Sequence, residues 1–363
     1  MIDGSPIGVG IVGLGDGGIS NMQSLMAISR RGTAGGSGAD TCNVVALCDT
    51  NEVRLDRLAA ELRAPVARYQ NAAELVTDSA VDLVVIATPD HDHLALTQRA
   101  LSAGKHTFVE KPVATTVADL HDFQRLVTQH PGKLLFSEKY SFARPIQATL
   151  SCRDRLGRFC WGTTLYTMWQ CDRIMGQGGW RVHTRYNPVA GGLSHNFMTA
   201  LLFDETRISR VRASGRVLTY RELEEHGGFD TMEGTLQFAS GAYLNWVVCL
   251  AVRGSSSPFG YRTIAHTFQF EGGALIYGPL PSGDRLILDG GEVVPFEPEP
   301  GAGEPWARYN IGELYGRMHR DVLAAVRGGS PRHTIEQGIN VAAACVLAFE
   351  SAHQDGGWRE VPF

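Results

Sequence analysis

The chain has 363 residues, of which 44% are hydrophobic and 20% charged, and its formal net charge is −5. Its length is sufficient for two ordinary domains with sizeable cores. The charge balance and the lack of a basic run argue against nucleic-acid binding. No apolar run reaches the roughly 18 residues that a transmembrane helix requires.

The cysteines are too scattered for a disulfide framework or a structural zinc site, because they are odd in number and include no C-x-x-C pair. The N-terminal sequence "MIDGSPIGVGIVG" has neither a basic segment nor a signal-peptide cleavage pattern. We therefore expect a cytoplasmic protein with no membrane partner. The cysteines are Cys42, Cys48, Cys152, Cys160, Cys171, Cys249 and Cys345.

The first 140 residues alternate strand and helix patterns, as in a parallel sheet with helices on both faces. Continuous apolar runs predict buried strands, and apolar residues at helical spacing predict the helices between them. The strands are expected at 7–15, 43–49, 81–89, 105–112 and 132–140, and the helices at 19–29, 51–63, 93–104 and 115–130. The Gly-, Ser- and Ala-rich segment 29–42 is expected to be a surface insertion.

Beyond residue 140 the pattern changes to strand-like stretches separated by glycine-containing turns, which is typical of an antiparallel sheet. One helix is predicted at 191–203, and two more close the chain at 315–329 and 335–354. The sequence therefore predicts an α/β domain of the nucleotide-binding type, with a doubly wound parallel sheet, followed by a sheet domain.

The segment "GLGDGG" has the G-x-G-x-x-G spacing of a dinucleotide-binding turn. Gly13 permits the tight turn, Gly15 lets the backbone approach a pyrophosphate, and Gly18 permits close packing of the helix. Asp16 and Gly17 complete the same segment, so all five residues are predicted to bind cofactor. The alternative is a glycine-rich turn without a ligand, but the preceding strand and following helix favour the dinucleotide.

Asp49 closes the second predicted strand, where an acidic residue can accept the ribose hydroxyls of an adenosine. A carboxylate there repels a 2′-phosphate, so the sequence favours NAD over NADP. Arg54, one helical turn further, weakens this preference. The predicted insertion explains why Asp49 lies farther from the glycines than the usual ~20 residues. A role for Asp49 as a helix cap is compatible with cofactor binding.

The segment "ATPDHDH" holds two histidines and two carboxylates between residues 87 and 93. Alternate residues of a loop can converge on a metal ion, but the sequence offers no further cluster at ligand spacing. We therefore predict no metal site, and instead a loop beside the dinucleotide at the carboxyl end of a parallel strand.

The segment "FVEKPVA" places Glu110 and Lys111 where a predicted strand ends. A lysine at this edge can accept the proton of a substrate hydroxyl as hydride leaves, or stabilise a developing alkoxide. Glu110 is positioned in sequence to orient it. From these residues alone, a solvated Glu–Lys pair is the competing interpretation.

Several segments together resemble the Gfo/Idh/MocA oxidoreductase family, named for glucose–fructose oxidoreductase and inositol dehydrogenase. The resemblance runs from "GVGIVGLGDGG" through "VVIATPDHDHLALTQRALSAGKHTFVEKPVA" and "SFARP" to "GGWR", "AGGLSHNFMTALLFD" and "AAACVLAFESA". It implies a Rossmann domain at 1–138 and an open, mostly antiparallel sheet domain at 139–363, which would bind substrate and form oligomers. The C-terminal helix is a candidate to pack back on the Rossmann domain.

The resemblance also implies roles for individual residues. Lys111 matches the catalytic lysine, and a "GWR" element near the pocket is matched by Trp180 and Arg181. The cofactor-side loop is matched by Thr88, Pro89 and His93.

A second family motif, G-G-x-x-x-D-x-x-x-H on one helix, is only partly matched. Gly191 and Gly192 fit, but Asn196 stands at the Asp position and Ala200 at the His position. Asn196 can still hydrogen-bond a hydroxyl or carbonyl, although it carries no charge, and it is a candidate catalytic residue. His195 is a second candidate, and its alternative is a helix-surface or interface histidine, because neighbouring helical positions point about 100° apart. Two other candidate proton carriers are His183 and Tyr186.

The function implied is reversible hydride transfer between NAD and a carbon of a sugar, a cyclitol or a sugar-derived ketone, with Lys111 as the proton-transfer residue. A homo-oligomer, dimer or tetramer, is expected through the C-terminal sheet, with a small-molecule substrate as the other partner. One alternative is an enzyme that retains NAD and oxidises transiently, giving epimerisation or glycoside cleavage. Another is a non-catalytic dinucleotide-binding protein.

Overall fold

The structure is a computed structural model that describes residues 5–32, 41–62, 65–168, 188–251, 262–278, 284–296 and 311–363. The chain forms two compact units. The first combines Met1–Lys139 with Ile311–Ile339, and the second combines Tyr140–Asn310 with Asn340–Phe363. Within the described residues, no helix has the length and apolar character needed to cross a membrane.

The strands are numbered in chain order. They are β1 Ile7–Val12, β2 Cys42–Cys48, β3 Ala67–Tyr69, β4 Leu83–Ile86, β5 His106–Val109, β6 Leu134–Leu135, β7 Phe159–Met168, β8 Ile208–Arg216, β9 Thr231–Phe238, β10 Tyr243–Cys249, β11 Arg262–Phe270, β12 Gly273–Tyr277, β13 Arg285–Leu288, β14 Val293–Val294 and β15 Arg359–Glu360.

The α-helices are numbered in the same way. They are α1 Asp16–Gly32, α2 Glu52–Ala60, α3 Ala72–Leu75, α4 His93–Ser102, α5 Val117–Gln129, α6 Arg144–Ser151, α7 Arg153–Leu156, α8 Pro188–Asp204, α9 Ile311–Val326 and α10 Ile335–His353.

The first unit contains a parallel sheet with the strand order β3-β2-β1-β4-β5-β6. The central strands β1 and β4 are buried along their whole length, which is why their sequences are continuous apolar runs. The strand order reverses direction between β1 and β4. In sheets of this type, ligands bind at such a reversal, outside the carboxyl ends of the strands.

Side-chain caps begin several helices of the first unit. The Asn51 side chain accepts a hydrogen bond from the Arg54 backbone N–H at the start of α2, and Thr116 accepts one from Asp119 at the start of α5. These caps satisfy backbone donors that have no partner inside the helix. They fix where each helix begins after its strand.

The predicted doubly wound sheet is confirmed, but the bounds of several elements were wrong. The strand expected within 105–112 is His106–Val109, so Glu110 and Lys111 follow its end as predicted, whereas the strand expected at 132–140 is only Leu134–Leu135. The three-residue strand β3 was missed because it is half-exposed and too short to show a pattern. The first helix begins at Asp16 rather than at residue 19, because the Ile19 N–H already bonds to the Gly15 carbonyl at 2.8 Å.

The predicted insertion at 29–42 is shorter than expected. Residues 29–32 belong to α1, and Cys42 begins β2. The central part of the predicted insertion, residues 33–40, lies outside the described residues.

The second unit contains a nine-stranded sheet with the order β14-β13-β12-β11-β7-β10-β9-β8-β15. Its strand pairs are antiparallel except for β7 and β10, which run parallel. The expectation of an open, mostly antiparallel sheet is therefore confirmed. The strands β13, β14 and β15 were not predicted, since two to four residues carry little alternation.

Helix α8 packs on one face of this sheet. Phe197 of α8 meets the buried Trp246 of β10 edge to face, with ring centroids 5.4 Å apart. A Cβ atom on Gly192 would lie 3.0 Å from side-chain atoms of Tyr166 and Val248. The glycine therefore lets the helix backbone approach the sheet closely.

The division between the units does not follow a single point in the sequence. The predicted second domain includes all of 139–363, whereas residues 311–339 group with the first unit. Helix α9 packs on α1, and its His319 bonds to Asn21 and Ser24. An apolar stripe on α9 shows that it is buried, but its sequence does not show which unit it covers.

Candidate functional site

The glycine loop joins β1 to α1 and contains two glycines that the backbone itself requires. Gly13 has φ +88°, and a Cβ atom there would lie 2.7 Å from the Ala87 carbonyl oxygen. A Cβ atom on Gly18 would lie only 1.8 Å from the Gly13 carbonyl oxygen. Both positions therefore exclude other side chains on steric grounds.

The other two glycines face open space. A Cβ atom on Gly15 or on Gly17 would meet nothing within 4 Å. Gly15 is exposed and accepts the first hydrogen bond of α1, so the free N–H groups of the first helical turn lie beside it. Asp16 is exposed in that turn. Open space at a helix N-terminus, with a positive dipole end, fits the pyrophosphate of a dinucleotide.

The Asp49 carboxylate holds the glycine loop from the end of β2. It is 8% exposed and accepts hydrogen bonds from the backbone N–H of Leu14 at 2.7 Å and of Asn51 at 2.8 Å. The Arg54 guanidinium donates a third, at 3.3 Å. A carboxylate has about four acceptor sites, so roughly one is left for a ribose hydroxyl. The structure thus gives Asp49 a positioning role that the sequence did not reveal.

His93 joins the loop after β4 to the loop after β5. Its ring is buried, with Nδ1 3.0 Å from the Pro112 carbonyl oxygen and 3.3 Å from that of Val113, while Nε2 lies 3.2 Å from the Thr88 carbonyl oxygen. These contacts are to backbone, so the geometry assigns His93 to loop positioning. Pro89 precedes the short helical turn that leads into α4.

Thr88 lies next to the glycine loop. Its backbone nitrogen is 2.8 Å from the place where a Cβ atom of Gly13 would stand. Its hydroxyl oxygen is buried and has no hydrogen-bond partner. A buried polar group without a partner is costly, and a bound ligand would supply one.

Glu110 and Lys111 follow β5 at the carboxyl edge of the sheet. The Glu110 N–H extends the strand ladder to the Ile86 carbonyl at 3.0 Å. One oxygen of its carboxylate accepts from the Asn21 side chain at 2.8 Å, and the other accepts from the Lys111 N–H at 3.3 Å. Lys111 is half-buried, and its peptide bond to Pro112 is cis. These contacts hold both oxygens of the Glu110 carboxylate, and the role of the Lys111 amine stays a prediction.

The structure therefore places most of the predicted cofactor residues at one edge of the first unit. The sheet is parallel, so the ends of β1, β2, β4 and β5 meet there. The residues at this edge are Gly13, Gly15, Asp16, Gly17, Gly18, Asp49, Thr88, Pro89, His93, Glu110 and Lys111.

The second unit carries the other two candidate catalytic residues, in the middle of α8. Asn196 is completely buried, and neither atom of its side-chain amide has a hydrogen-bond partner. The His195 ring is also buried, 4.7 Å from the ring of Tyr140 and 6.0 Å from that of Tyr166. The ring is therefore not on an exposed helix surface, while the catalytic role of His195 and the alternative of an interface histidine stay predictions. Ala200 is fully buried too.

The remaining candidates cannot be placed. Trp180 and Arg181, together with His183 and Tyr186, lie outside the described residues. Within the part of the chain that the structure describes, there is no group of three or more His, Cys, Asp or Glu side chains that could hold a metal ion.

Sequence reasoning missed the residues that support Glu110. Asn21 and His319 are buried polar residues on helices, separated by 298 positions in the chain. The sequence signal was a polar residue inside an otherwise apolar helical face, which identifies burial but not the partner.

Comparison with known proteins agrees with this geometry. Residues 7–137 match the Gfo/Idh/MocA family, described as an oxidoreductase family with an NAD-binding Rossmann fold. The matched residues span the whole parallel sheet and the glycine loop. The parallel-sheet domain of this chain therefore matches the NAD-binding Rossmann domain of that family.

Two curated relatives share part of the chain. Inositol 2-dehydrogenase 1 of Saccharopolyspora erythraea is 39% identical over 111 residues, which are 31% of this chain and 30% of the relative. Glycosyl hydrolase family 109 protein 2 of Shewanella sp. (strain ANA-3) is 27% identical over 195 residues, 49% of this chain and 40% of the relative. The matches thus span less than half the length of either relative.

A solved structure shares the fold over nearly the full length. Levoglucosan dehydrogenase in complex with NADH and levoglucosan gives a TM-score of 0.82 at 18% identity, covering 99% of this chain and 100% of that one. The fold shared with that structure therefore extends beyond residues 7–137.

Proposed function

We propose that the protein is an NAD-dependent oxidoreductase that transfers hydride to or from a carbon of a sugar, a cyclitol or a sugar-derived ketone. The observation that carries this proposal is the position of Lys111. It follows β5 at the same carboxyl edge at which the glycine loop offers an open helix N-terminus. A lysine amine and a dinucleotide site on one edge are the two components that alcohol oxidation requires.

The loop residues fit NAD. The N–H groups at the start of α1 would bind the pyrophosphate beside Gly15, and Asp49 would accept a ribose hydroxyl. Asp49 disfavours a 2′-phosphate by like charge, although Arg54 at 3.3 Å offsets part of that repulsion. NAD is therefore favoured over NADP. When bound, NAD supplies the hydride acceptor.

Lys111 would move the proton. In oxidation, its amine accepts the proton of the substrate hydroxyl as the same carbon gives up hydride, and in reduction it returns that proton. Glu110 lies beside it, and its carboxylate accepts hydrogen bonds from the Asn21 side chain and from the Lys111 backbone N–H. The buried Thr88 hydroxyl is a further group that a ligand at this edge would satisfy.

Asn196 is proposed as a substrate contact. Its amide offers two donors and one acceptor oxygen, and neither atom is paired inside α8 or against the sheet. A substrate hydroxyl or carbonyl would satisfy both kinds of group. His195, enclosed by two tyrosine rings, is proposed as a neighbouring candidate for proton transfer.

A second candidate function is catalysis with retained NAD, in which transient oxidation of a carbon acidifies the adjacent C–H and allows epimerisation or glycoside cleavage. Two observations favour it: the similarity to a glycosyl hydrolase family 109 protein, and Ala200, which cannot transfer a proton. A third candidate is a dinucleotide-binding protein without catalysis. It rests on the incomplete match to the G-G-x-x-x-D-x-x-x-H motif, in which Ala200 stands at the His position.

The experiment that separates these candidates is a cofactor assay on the purified protein. NADH and NADPH are titrated by fluorescence, the cofactor content is measured after gel filtration, and absorbance at 340 nm is followed with myo-inositol and with levoglucosan in the presence of NAD. The dehydrogenase predicts exchangeable NAD and a rise at 340 nm. Retained NAD with product but no net change at 340 nm would favour the second candidate. A protein that binds neither cofactor contradicts both.

A cytoplasmic location and a homo-oligomer formed through the sheet remain predictions. Chromatography with light scattering measures the mass of the particle, and a monomer would contradict the second of these predictions.

A further inference from the structure

A chain of buried and partly buried hydrogen bonds links the glycine loop to the residue beside Lys111. The Asn21 side-chain nitrogen donates to the Gly17 carbonyl at 2.9 Å and to the Glu110 carboxylate at 2.8 Å. The Asn21 side-chain oxygen lies 2.7 Å from Nε2 of His319, whose Nδ1 lies 2.9 Å from the Ser24 hydroxyl. All of these residues belong to the first unit.

The direction of each bond follows from the partners. A carbonyl and a carboxylate only accept, so the Asn21 NH₂ group must face Gly17 and Glu110, and its oxygen must face His319. Nε2 of His319 therefore carries the proton and donates, and Nδ1 accepts from Ser24. Burial lowers the pKa of His319 to about 3, so the ring is neutral at pH 7 and has the single N–H that this arrangement requires.

The surroundings of His319 leave it little freedom. The residue is 1% exposed, and its ring lies against Phe108 at 6.1 Å and Tyr315 at 5.9 Å between centroids. Asn21 is completely buried. A fixed ring that donates to the Asn21 oxygen prevents the amide from turning over, because the turned amide would place its NH₂ group against the His319 N–H.

We propose that Asn21 is a positioning residue for Lys111, held in one orientation by His319. Asn21 ties the Glu110 carboxylate to the backbone of the glycine loop, and that carboxylate in turn accepts the Lys111 N–H. The distance from the dinucleotide loop to the start of the lysine is thereby fixed by two hydrogen bonds from one amide. The proposal rests on the proposed function of Lys111, since positioning matters only if that amine acts.

The energetic consequence is local. Loss of one hydrogen bond to a charged, half-buried carboxylate corresponds to about a tenfold change in the opening equilibrium of the groups it holds. The rate of a catalysed reaction falls when a catalytic group is displaced by about 1 Å. Removal of the Asn21 donor is therefore expected to loosen Lys111 without unfolding the sheet.

The test uses four variants of the full chain. Asn21→Ala removes the link, and His319→Leu removes the group that orients it. His319→Gln keeps an amide N–H in the place of Nε2 and is the conservative rescue. The matched control is Ser20→Ala, which deletes a side-chain bond to the Asp16 carbonyl on the same helix without reaching Glu110.

The primary measurement is amide hydrogen exchange of Lys111 in the protein without added cofactor. Exchange at Lys111 is expected to rise about tenfold in Asn21→Ala and in His319→Leu, and by clearly less in His319→Gln. Exchange in the buried strand β2 should not change, nor should Ser20→Ala behave differently from wild type. Unchanged exchange at Lys111 overturns the proposal, as does an equal rise in β2 and at Lys111. If Asn21→Ala fails to fold, the two His319 variants provide the same comparison.

A kinetic measurement tests the same proposal independently. With myo-inositol or levoglucosan, whichever the wild type oxidises, kcat should fall in Asn21→Ala and be partly restored in His319→Gln relative to His319→Leu. The KM for NAD should stay within about twofold, since a displaced lysine affects the chemical step. A fall in kcat without any change in Lys111 exchange overturns positioning. If the wild type neither binds NADH nor oxidises a substrate, the proposed function fails, whereas the exchange result still decides whether Asn21 holds Glu110.

Discussion

Two single substitutions in the glycine loop are expected to separate an effect on folding stability from an effect on cofactor binding. Gly18→Ala places a methyl group where the Gly13 carbonyl oxygen is 1.8 Å away, so the backbone must shift. Gly15→Ala places the same group in space that is empty for at least 4 Å, at a residue whose φ is not in the left-handed region. The two variants differ only in which neighbour the methyl group meets.

The expected magnitudes have opposite signs. Forced overpacking typically costs about 1–3 kcal/mol, so Gly18→Ala should lower the free energy of unfolding by at least that amount. Gly15→Ala should leave it unchanged or raise it by about 0.4–1 kcal/mol, because alanine restricts the unfolded chain. The new methyl group nevertheless occupies the approach of a pyrophosphate. Loss of a charge-assisted backbone contact corresponds to about 10- to 100-fold weaker NAD binding.

The assay pairs urea unfolding without cofactor with a fluorescence titration of NADH. Gly17→Ala is the control for added helix propensity in the urea measurement alone, since its Cβ atom also meets open space. NADH binding by Gly15→Ala at the wild-type level would refute the pyrophosphate site. A Gly18→Ala protein as stable as the wild type would refute the close contact with Gly13.

Three further predictions concern stability. Asp49→Asn should lower the free energy of unfolding by about 2 kcal/mol in urea even without NAD, because an amide cannot accept from Leu14 and Asn51 at once. Asn196→Leu should raise it by about 1–2 kcal/mol in the same assay, since an unpaired buried amide is removed, while substrate KM rises. Stability should also fall as pH drops below about 6.5, by about 1.4 kcal/mol per pH unit for each histidine that is buried neutral and charges on unfolding. Burial lowers the pKa of these groups to about 3 for His266, about 3 for His319 and about 4 for His333.

Each of these three stability predictions would be contradicted by a specific result. A fully stable Asp49→Asn protein would show that the loop does not depend on the carboxylate. A destabilised Asn196→Leu protein would show that its amide is satisfied in the folded state. Unfolding measured between pH 7 and pH 4 should be less steep in His266→Leu than in the wild type, and an identical slope would contradict the neutral state of that ring.

The doubly wound sheet could be predicted because a strand that is buried on both faces has a continuous apolar sequence. The runs around Val9 and Val85 predicted β1 and β4, and the turn signals between them gave the order of the helices. The short edge strand β3 could not be predicted, since three residues show no period, and β6 was predicted with too great a length. The need for glycine at position 13 could be predicted from the spacing of the turn, whereas the role of Lys111 stays a prediction.

Contacts between distant parts of the chain could not be predicted. His93 matched a family position, but only the fold shows that its ring contacts the carbonyls of Thr88 and Pro112. In the sequence, His319 is one polar residue on the apolar face of a helix, and nothing in the pattern of that helix indicates Asn21 as its partner. The positioning role of Asp49 could not be predicted either, because its donor Leu14 belongs to the glycine loop, 35 positions away in the chain.

The most direct test of the central claim is the rate at 340 nm of Lys111→Met, measured beside its NADH dissociation constant. The control is Lys133→Met. Lys133 donates a hydrogen bond to the Gly104 carbonyl and precedes β6, so it lies at the amino ends of the parallel strands, away from the carboxyl edge. We expect Lys111→Met to bind NADH within about threefold of the wild type and to lose turnover by at least about a hundredfold, as removal of a general base does, while Lys133→Met keeps full activity. Wild-type turnover in Lys111→Met would contradict the assignment of the proton-transfer residue.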